Sequence, residues 1–231
     1  MKNRDHDYMK KFHDNQAGNV FIFILLGIVL FAALGFVVAR GMRSETTSAM
    51  SQREAELAAV DILSYAQKLE RAVSKLRARG ISENNIDFTN PVVNGYAYSS
   101  PQANSFQIFK KEGGGVTWQN PVARANDNSP WLFTGQTCIV DIGTGGTGCD
   151  SDSVSNEELL AVLPKLSALV CAEINKRLGI TSLPTGGAVS NSKFTGTYSD
   201  NASPSNTAGR TAACFEDASG DKNFYYVLIA R

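Results

Sequence analysis

The sequence predicts an α+β protein. A long N-terminal helix, half apolar and half amphipathic, packs on a small, mainly antiparallel β-sheet domain that carries a second helix. Three observations predict it. Val20 to Ala39 (VFIFILLGIVLFAALGFVVA) is a run of twenty residues without a charge, and the chain continues from Arg40 to Arg79 in residues that favour helix. Beyond Asn90-Pro91 the texture changes to short β-like runs and turns. All four cysteines, Cys138, Cys149, Cys171 and Cys214, lie in that second part.

Residues 1–18 are polar and irregular and read as a leader or cytoplasmic tail. Residues 19–79 read as one helix whose stretch 20–39 can span a membrane. At about 1.5 Å per residue the apolar run covers about 30 Å, the thickness of a hydrocarbon core. A secretory h-region has only about 7–15 residues, so the run reads as an anchor. The alternative is a cleaved signal, for which Val37-Val38-Ala39 could pass as a small-residue cleavage site. Lys2, Arg4, Lys10 and Lys11 precede the run, against Arg40 and Arg43 just after it, which favours a cytoplasmic N-terminus. From Ser51 the pattern is amphipathic: Ala55, Ala58, Ala59, Ile62, Ala66, Leu69, Ala72, Val73 and Leu76 form one stripe. Gly80 closes the helix behind Arg77 and Arg79, cations suited to a helix C-terminus. The stripe can pack on its own domain or, in its upper part, on other subunits.

Residues 80–231 read as an extracytoplasmic α+β domain. Phe106–Lys110 and Val116–Trp118 flank Glu112-Gly113-Gly114-Gly115 as a hairpin. Trp131–Thr134 and Cys138–Ile142 read as strands, followed by the glycine-rich segment 143–148. Ser155 and Glu158 form a capping-box pattern that opens a helix through Leu159, Leu163, Leu166, Val170, Ile174 and Leu178, kinked or restarted at Pro164. Residues 181–210, rich in Ser, Thr, Asn and Gly, read as a long exposed loop. Phe224–Ala230 (FYYVLIA) is apolar on both faces and reads as a buried central strand. An even cysteine count confined to one side of the apolar run suggests an oxidising compartment and disulfides. Four cysteines allow three pairings. Cys138 and Cys149, close across the glycine-rich turn, are the preferred pair, which leaves Cys171 to join Cys214.

Lys+Arg and Asp+Glu both number 22, so no net charge points to nucleic acid. The only histidines, His6 and His13, precede the apolar run, so the domain has no histidine base, triad or metal ligand. The glycine-rich segment lacks the Lys-Ser/Thr of a phosphate loop. With Asp141, Asp150 and Asp152 it matches no calcium-loop spacing and reads as a flexible turn. Glu157-Glu158 read as first-turn capping acids, Trp118 and Trp131 as core residues, and Asn201-Ala202-Ser203 fits a glycosylation sequon. No catalysis, cofactor or metal is expected.

Gln16-Ala17-Gly18, then Asn19, then the apolar helix resemble the N-terminus of type IV pilins and of type II secretion pseudopilins. The resemblance implies cleavage by a prepilin peptidase after Gly18, with Asn19 the mature N-terminus. It also implies a long helix, apolar then amphipathic, on a small β-sheet domain that often carries a disulfide. The fifth mature position is Phe23, where the family usually has Glu, and the leader carries three aspartates. An apolar half-helix is at home only in lipid or among its own kind, so it can serve as anchor and as filament core. Gly27 and Gly35, eight apart on nearly one face, are the small residues that would let such helices pack closely. The expected protein is therefore a structural subunit, a minor one, of a pilus or secretion pseudopilus. Its place would be the cytoplasmic membrane, with the N-terminus inside and the domain outside. The rival expectation is a single-pass protein whose domain binds a ligand or partner without polymerising.

Overall fold

Ser51 starts a helix of its own. Its side-chain oxygen accepts from the Glu54 backbone N–H at 3.3 Å, and the Glu54 carboxylate accepts from the Ser51 N–H at 2.8 Å. This reciprocal capping box satisfies two of the amide donors that every helix N-terminus leaves free. The computed structural model describes residues 22–32, 50–143, 149, 157–199 and 202–231, and divides the chain into two units, 1–49 and 50–231. In the first unit, helix α1 covers residues 22–32. In the second, α2 covers Gln52–Ala78. Ser51 is extended, with φ −69° and ψ 158°, so the single rod expected over 19–79 is broken there. Among the described residues no helix is long and apolar enough to cross a membrane.

The domain is built on a four-stranded antiparallel sheet. Its strands are β1 (Leu132–Cys138), β2 (Glu157–Leu163), β3 (Ala212–Glu216) and β4 (Lys222–Ile229), with helix α3 (Ala168–Arg177) between β2 and β3. The order is β1-β2-β4-β3, which puts the apolar C-terminal strand inside the sheet, as its two-sided hydrophobicity predicts. Three expectations are corrected, the first being the two strands read over Trp131–Thr134 and Cys138–Ile142: Leu132–Cys138 is one strand, and 139–142 lie outside it. The helix read from Ser155 through Leu163 is strand β2, every residue of which is buried. Its Glu and Leu favour helix in isolation, but pairing on both edges and burial of both faces override that preference. The helix begins only after Pro164, with Ser167 as its N-cap. The hairpin read over 106–118 has no strand ladder. It is a tight reversal in which Val116 N–H donates to Ile108 O at 3.1 Å. Gly113 and Gly114 lie so close to the backbone of Gln107 and Ile108 that no side chain fits there.

One face of the sheet carries the helices. Leu159, Ala161, Leu163, Phe224 and Leu228 share a core with the buried stripe of α2 and with Val170, Cys171 and Ile174 of α3. Alanines at 55, 58, 59, 66 and 72 let α2 pack closely in that core. The other face, with Leu160, Val162, Phe215, Tyr225 and Val227, is covered by Ile139, Ile180 and Val189. Among its described residues, the segment expected as an exposed loop over 181–210 has no helix or strand, but Phe194, Tyr198 and Ser190 in it are buried. It also closes the β1 edge. Phe194 N–H donates to Phe133 O at 2.9 Å, Ser199 N–H to Gly135 O at 3.3 Å, and Ser190 N–H to the Thr137 hydroxyl at 2.9 Å.

The β3 edge is closed at Glu216 by the backbone of Pro184 and Gly186, and at Cys214 by one side chain. Asn175 of α3 donates to Cys214 O at 2.8 Å and accepts from Cys214 N–H at 2.9 Å, imitating a neighbouring strand. Asn175 is 4% exposed, so Asn175→Leu strands a donor and an acceptor away from water. The variant should lose about 2–3 kcal/mol in urea unfolding. A loss below about 0.5 kcal/mol would show that the edge does not depend on this amide.

Candidate functional site

Gly18 and Asn19, expected at a processing site, and Gly35, expected in helix packing, lie outside the described residues. Gly27 lies in α1, and a side chain added there would meet nothing within 4 Å. The other described side chains of α1 are all exposed, from Leu25 at 55% to Phe31 at 80%. The four cysteines form the two preferred bridges, Cys138–Cys149 and Cys171–Cys214. The second joins α3 to β3 within the core, with both residues 1% exposed or less.

Two adjoining clefts run beside α2. One cleft of about 430 Å³ lies between Asp61, Ser64, Tyr65 and Lys68 on the helix and Gln119–Val122 opposite, above Trp131. A second, of about 370 Å³, shares Tyr65, Lys68 and Gln119 and continues past Arg71 and Lys75 to Gly114 and Gly115. The floor is aromatic and rigid. The Tyr65 and Trp131 rings are 5.4 Å apart, both about 2% exposed, and the Tyr65 hydroxyl accepts from Gln119 N–H at 3.2 Å. Burial pushes the Tyr65 phenol up to about 12, so it stays protonated and serves as a structural hydroxyl, not a base. Trp131 is core, as expected, and Trp118 is half-buried against the same cluster.

One acid is strongly perturbed. Glu158 is fully buried in β2; one carboxylate oxygen accepts from Ile139 N–H at 2.7 Å, and the other has no hydrogen-bond partner. Burial raises its pKa to about 7; the neighbouring Glu157 adds to the rise, while the Ile139 N–H and Arg231 oppose it. The expectation of first-turn capping acids is therefore wrong for Glu157 and Glu158, which sit in a central strand opposite Cys138 and Thr137. Neither α2 cleft is lined by Glu158, so this acid has no substrate-sized space beside it there. Among the described residues no group of three or more His, Cys, Asp or Glu is placed to hold a metal.

The charged side of α2 is legible in the sequence, but the groove beside it is not. The opposite wall, residues 114–122, is irregular chain about fifty residues away in sequence, and no local periodicity marks it. Glu158 could have been found: Leu159–Leu163 is an unbroken apolar run that ends at a proline, a pattern of buried strand rather than amphipathic helix.

No family model matches the chain, and neither curated proteins nor solved structures include a match.

Proposed function

We propose that this chain is a membrane-anchored, pilin-like structural subunit, a minor one, of a pilus or secretion pseudopilus. The observation that carries the reading is the order of parts: a polar leader ending in Gly18, an uncharged run of twenty residues, then a disulfide-bonded α+β domain. The domain's amphipathic helix α2 packed on an antiparallel sheet supports it. So do two bridges that suit an oxidising compartment. In this reading the protein sits in the cytoplasmic membrane with its N-terminus on the cytoplasmic side, the domain faces the periplasm or exterior, and a prepilin peptidase cuts between Gly18 and Asn19. Self-association, or association with other pilin-like subunits, runs through the N-terminal region, with Gly27 and Gly35 as close-packing positions. The domain performs no catalysis.

The test is the intact mass of the protein extracted from membranes of cells with an active prepilin peptidase. Loss of residues 1–18 is expected. Gly18→Val should abolish the cut and leave insertion unchanged, because the apolar run is untouched. A mass that retains Met1 in the parent protein overturns the reading.

A further inference from the structure

Asn94-Gly95 is the single Asn-Gly pair in the sequence, and the fold leaves it open. Both residues are exposed, and neither the Asn94 amide nor the Gly95 N–H has a hydrogen-bond partner among the described residues. Gly95 has φ +98°, a conformation that glycine adopts without strain. The Lys193 side chain lies over it: a Cβ at 95 would stand 2.9 Å from Lys193 Cδ and 3.6 Å from Nζ. The ammonium is therefore at most about 5 Å from the Gly95 Cα. Lys193 is in no ion pair among the described residues. The nearby Asn90 is a contrast. Its amide oxygen accepts from Val92 N–H at 3.0 Å and Val93 N–H at 2.7 Å, and the residue after it, Pro91, has no N–H. The segments that carry Gly95 and Lys193 meet at β1. Phe133 N–H donates to the Tyr96 hydroxyl at 2.9 Å, and Phe133 O accepts from Phe194 N–H at 2.9 Å.

We propose that Asn94 is a self-modification site: the chain converts it to aspartate or isoaspartate, and Lys193 promotes the conversion and then pairs with the new carboxylate. Solvent takes the Gly95 N–H proton, the nitrogen bonds to Asn94 Cγ, and the Cγ–Nδ2 bond breaks to release ammonia. Water then opens the cyclic imide at either carbonyl, so the net reaction consumes water and yields an acid and ammonia. The lack of a side chain on Gly95 leaves the attacking nitrogen uncrowded. A cation this close favours both the anionic nitrogen and the oxyanion that forms at Cγ. The product carries a negative charge one residue from the Lys193 ammonium. The pair then fastens the segment of Tyr96 to the segment of Phe194, the two that hold Phe133 at the β1 edge.

The experiment holds the full chain in detergent at mildly alkaline pH for days and follows it by peptide mass mapping. Asn94 should gain the mass of an NH2-to-OH exchange, with isoaspartate detected by methyltransferase labelling, while Asn84, Asn85 and Asn90 keep their amides. Lys193→Gln should slow the change about fourfold, and Lys193→Arg should keep the parent rate. In urea, where residue 193 no longer lies over Gly95, all three chains should react alike. Hydrogen exchange at Phe194 N–H should be about twofold slower in Asn94→Asp than in the parent, and high salt should remove the difference. The proposal is overturned if the folded chain keeps the Asn94 amide while the urea-unfolded chain loses it. It is also overturned if Lys193→Gln reacts at the parent rate when folded, or if Phe194 exchange is the same with Asn and Asp at 94. A lasting loss of ammonia with Asn94 joined to Lys193 overturns it too, since the lysine would then be the nucleophile.

Discussion

Replacing both Cys171 and Cys214 with alanine should cost the domain about 4 kcal/mol in denaturant unfolding under oxidising conditions. The bridge spans 43 residues of sequence, and a loop of that size, once released, returns a large conformational entropy to the unfolded chain. It also joins α3 to the edge strand β3, next to the Asn175 amide that pairs with Cys214. Loss of the bridge therefore loosens the element that closes this edge of the sheet. Cys138–Cys149 spans only 11 residues, and the same entropy relation gives it about 3 kcal/mol. The paired alanine variants measured side by side should keep that order, and the melting temperature of the Cys171/Cys214 variant should fall by roughly 10 °C. If the short bridge proves the costlier to remove, the entropic ranking fails and local packing at Cys138 governs instead.

What could be read in advance follows from how local each determinant is. Helix α2 was legible because its apolar positions recur every three or four residues for seven turns and its end is marked by Gly80. Strand β4 was legible because an unbroken apolar run needs two covered faces. The cysteine pairing was legible because one pair is close in sequence and leaves a single partner for each remaining residue. The misreadings came from motifs that are short. Ser155 with Glu158 and Ser51 with Glu54 share one spacing, yet only the second opens a helix, since only there does a helical period follow. Strand β3, Ala212–Glu216, has five residues and two alanines, too little β preference to announce itself. It exists because β4 offers a partner and its outer side is closed by Asn175 at Cys214 and by Pro184 and Gly186 at Glu216. The groove along α2 was hidden for the same reason, as its second wall is set by tertiary packing alone.

Raising the pH from 5 to 8 should destabilise the domain through Glu158, and Glu158→Gln should abolish that part of the pH dependence. The carboxyl lies at zero exposure with one oxygen satisfied by Ile139 N–H and the other without a hydrogen-bond partner, so its charged form is poorly solvated. Its folded-state pKa of about 7 lies above the 4.5 of the unfolded chain. The folded state therefore holds the proton more tightly, and the associated stability is fully present below about pH 4.5 and is lost as pH rises through about 7. Converted at 1.36 kcal/mol per pKa unit, the swing is about 3 kcal/mol. Gln keeps the acceptor for Ile139 N–H and carries no charge. At pH 5 the variant should match the parent to within about 1 kcal/mol, while at pH 8 it should be more stable by up to about 3 kcal/mol. Urea unfolding at the two pH values measures both differences. A variant less stable than the parent at pH 8 would mean that the buried carboxylate is stabilised there, with Arg231 outweighing burial and Glu157 in setting its charge.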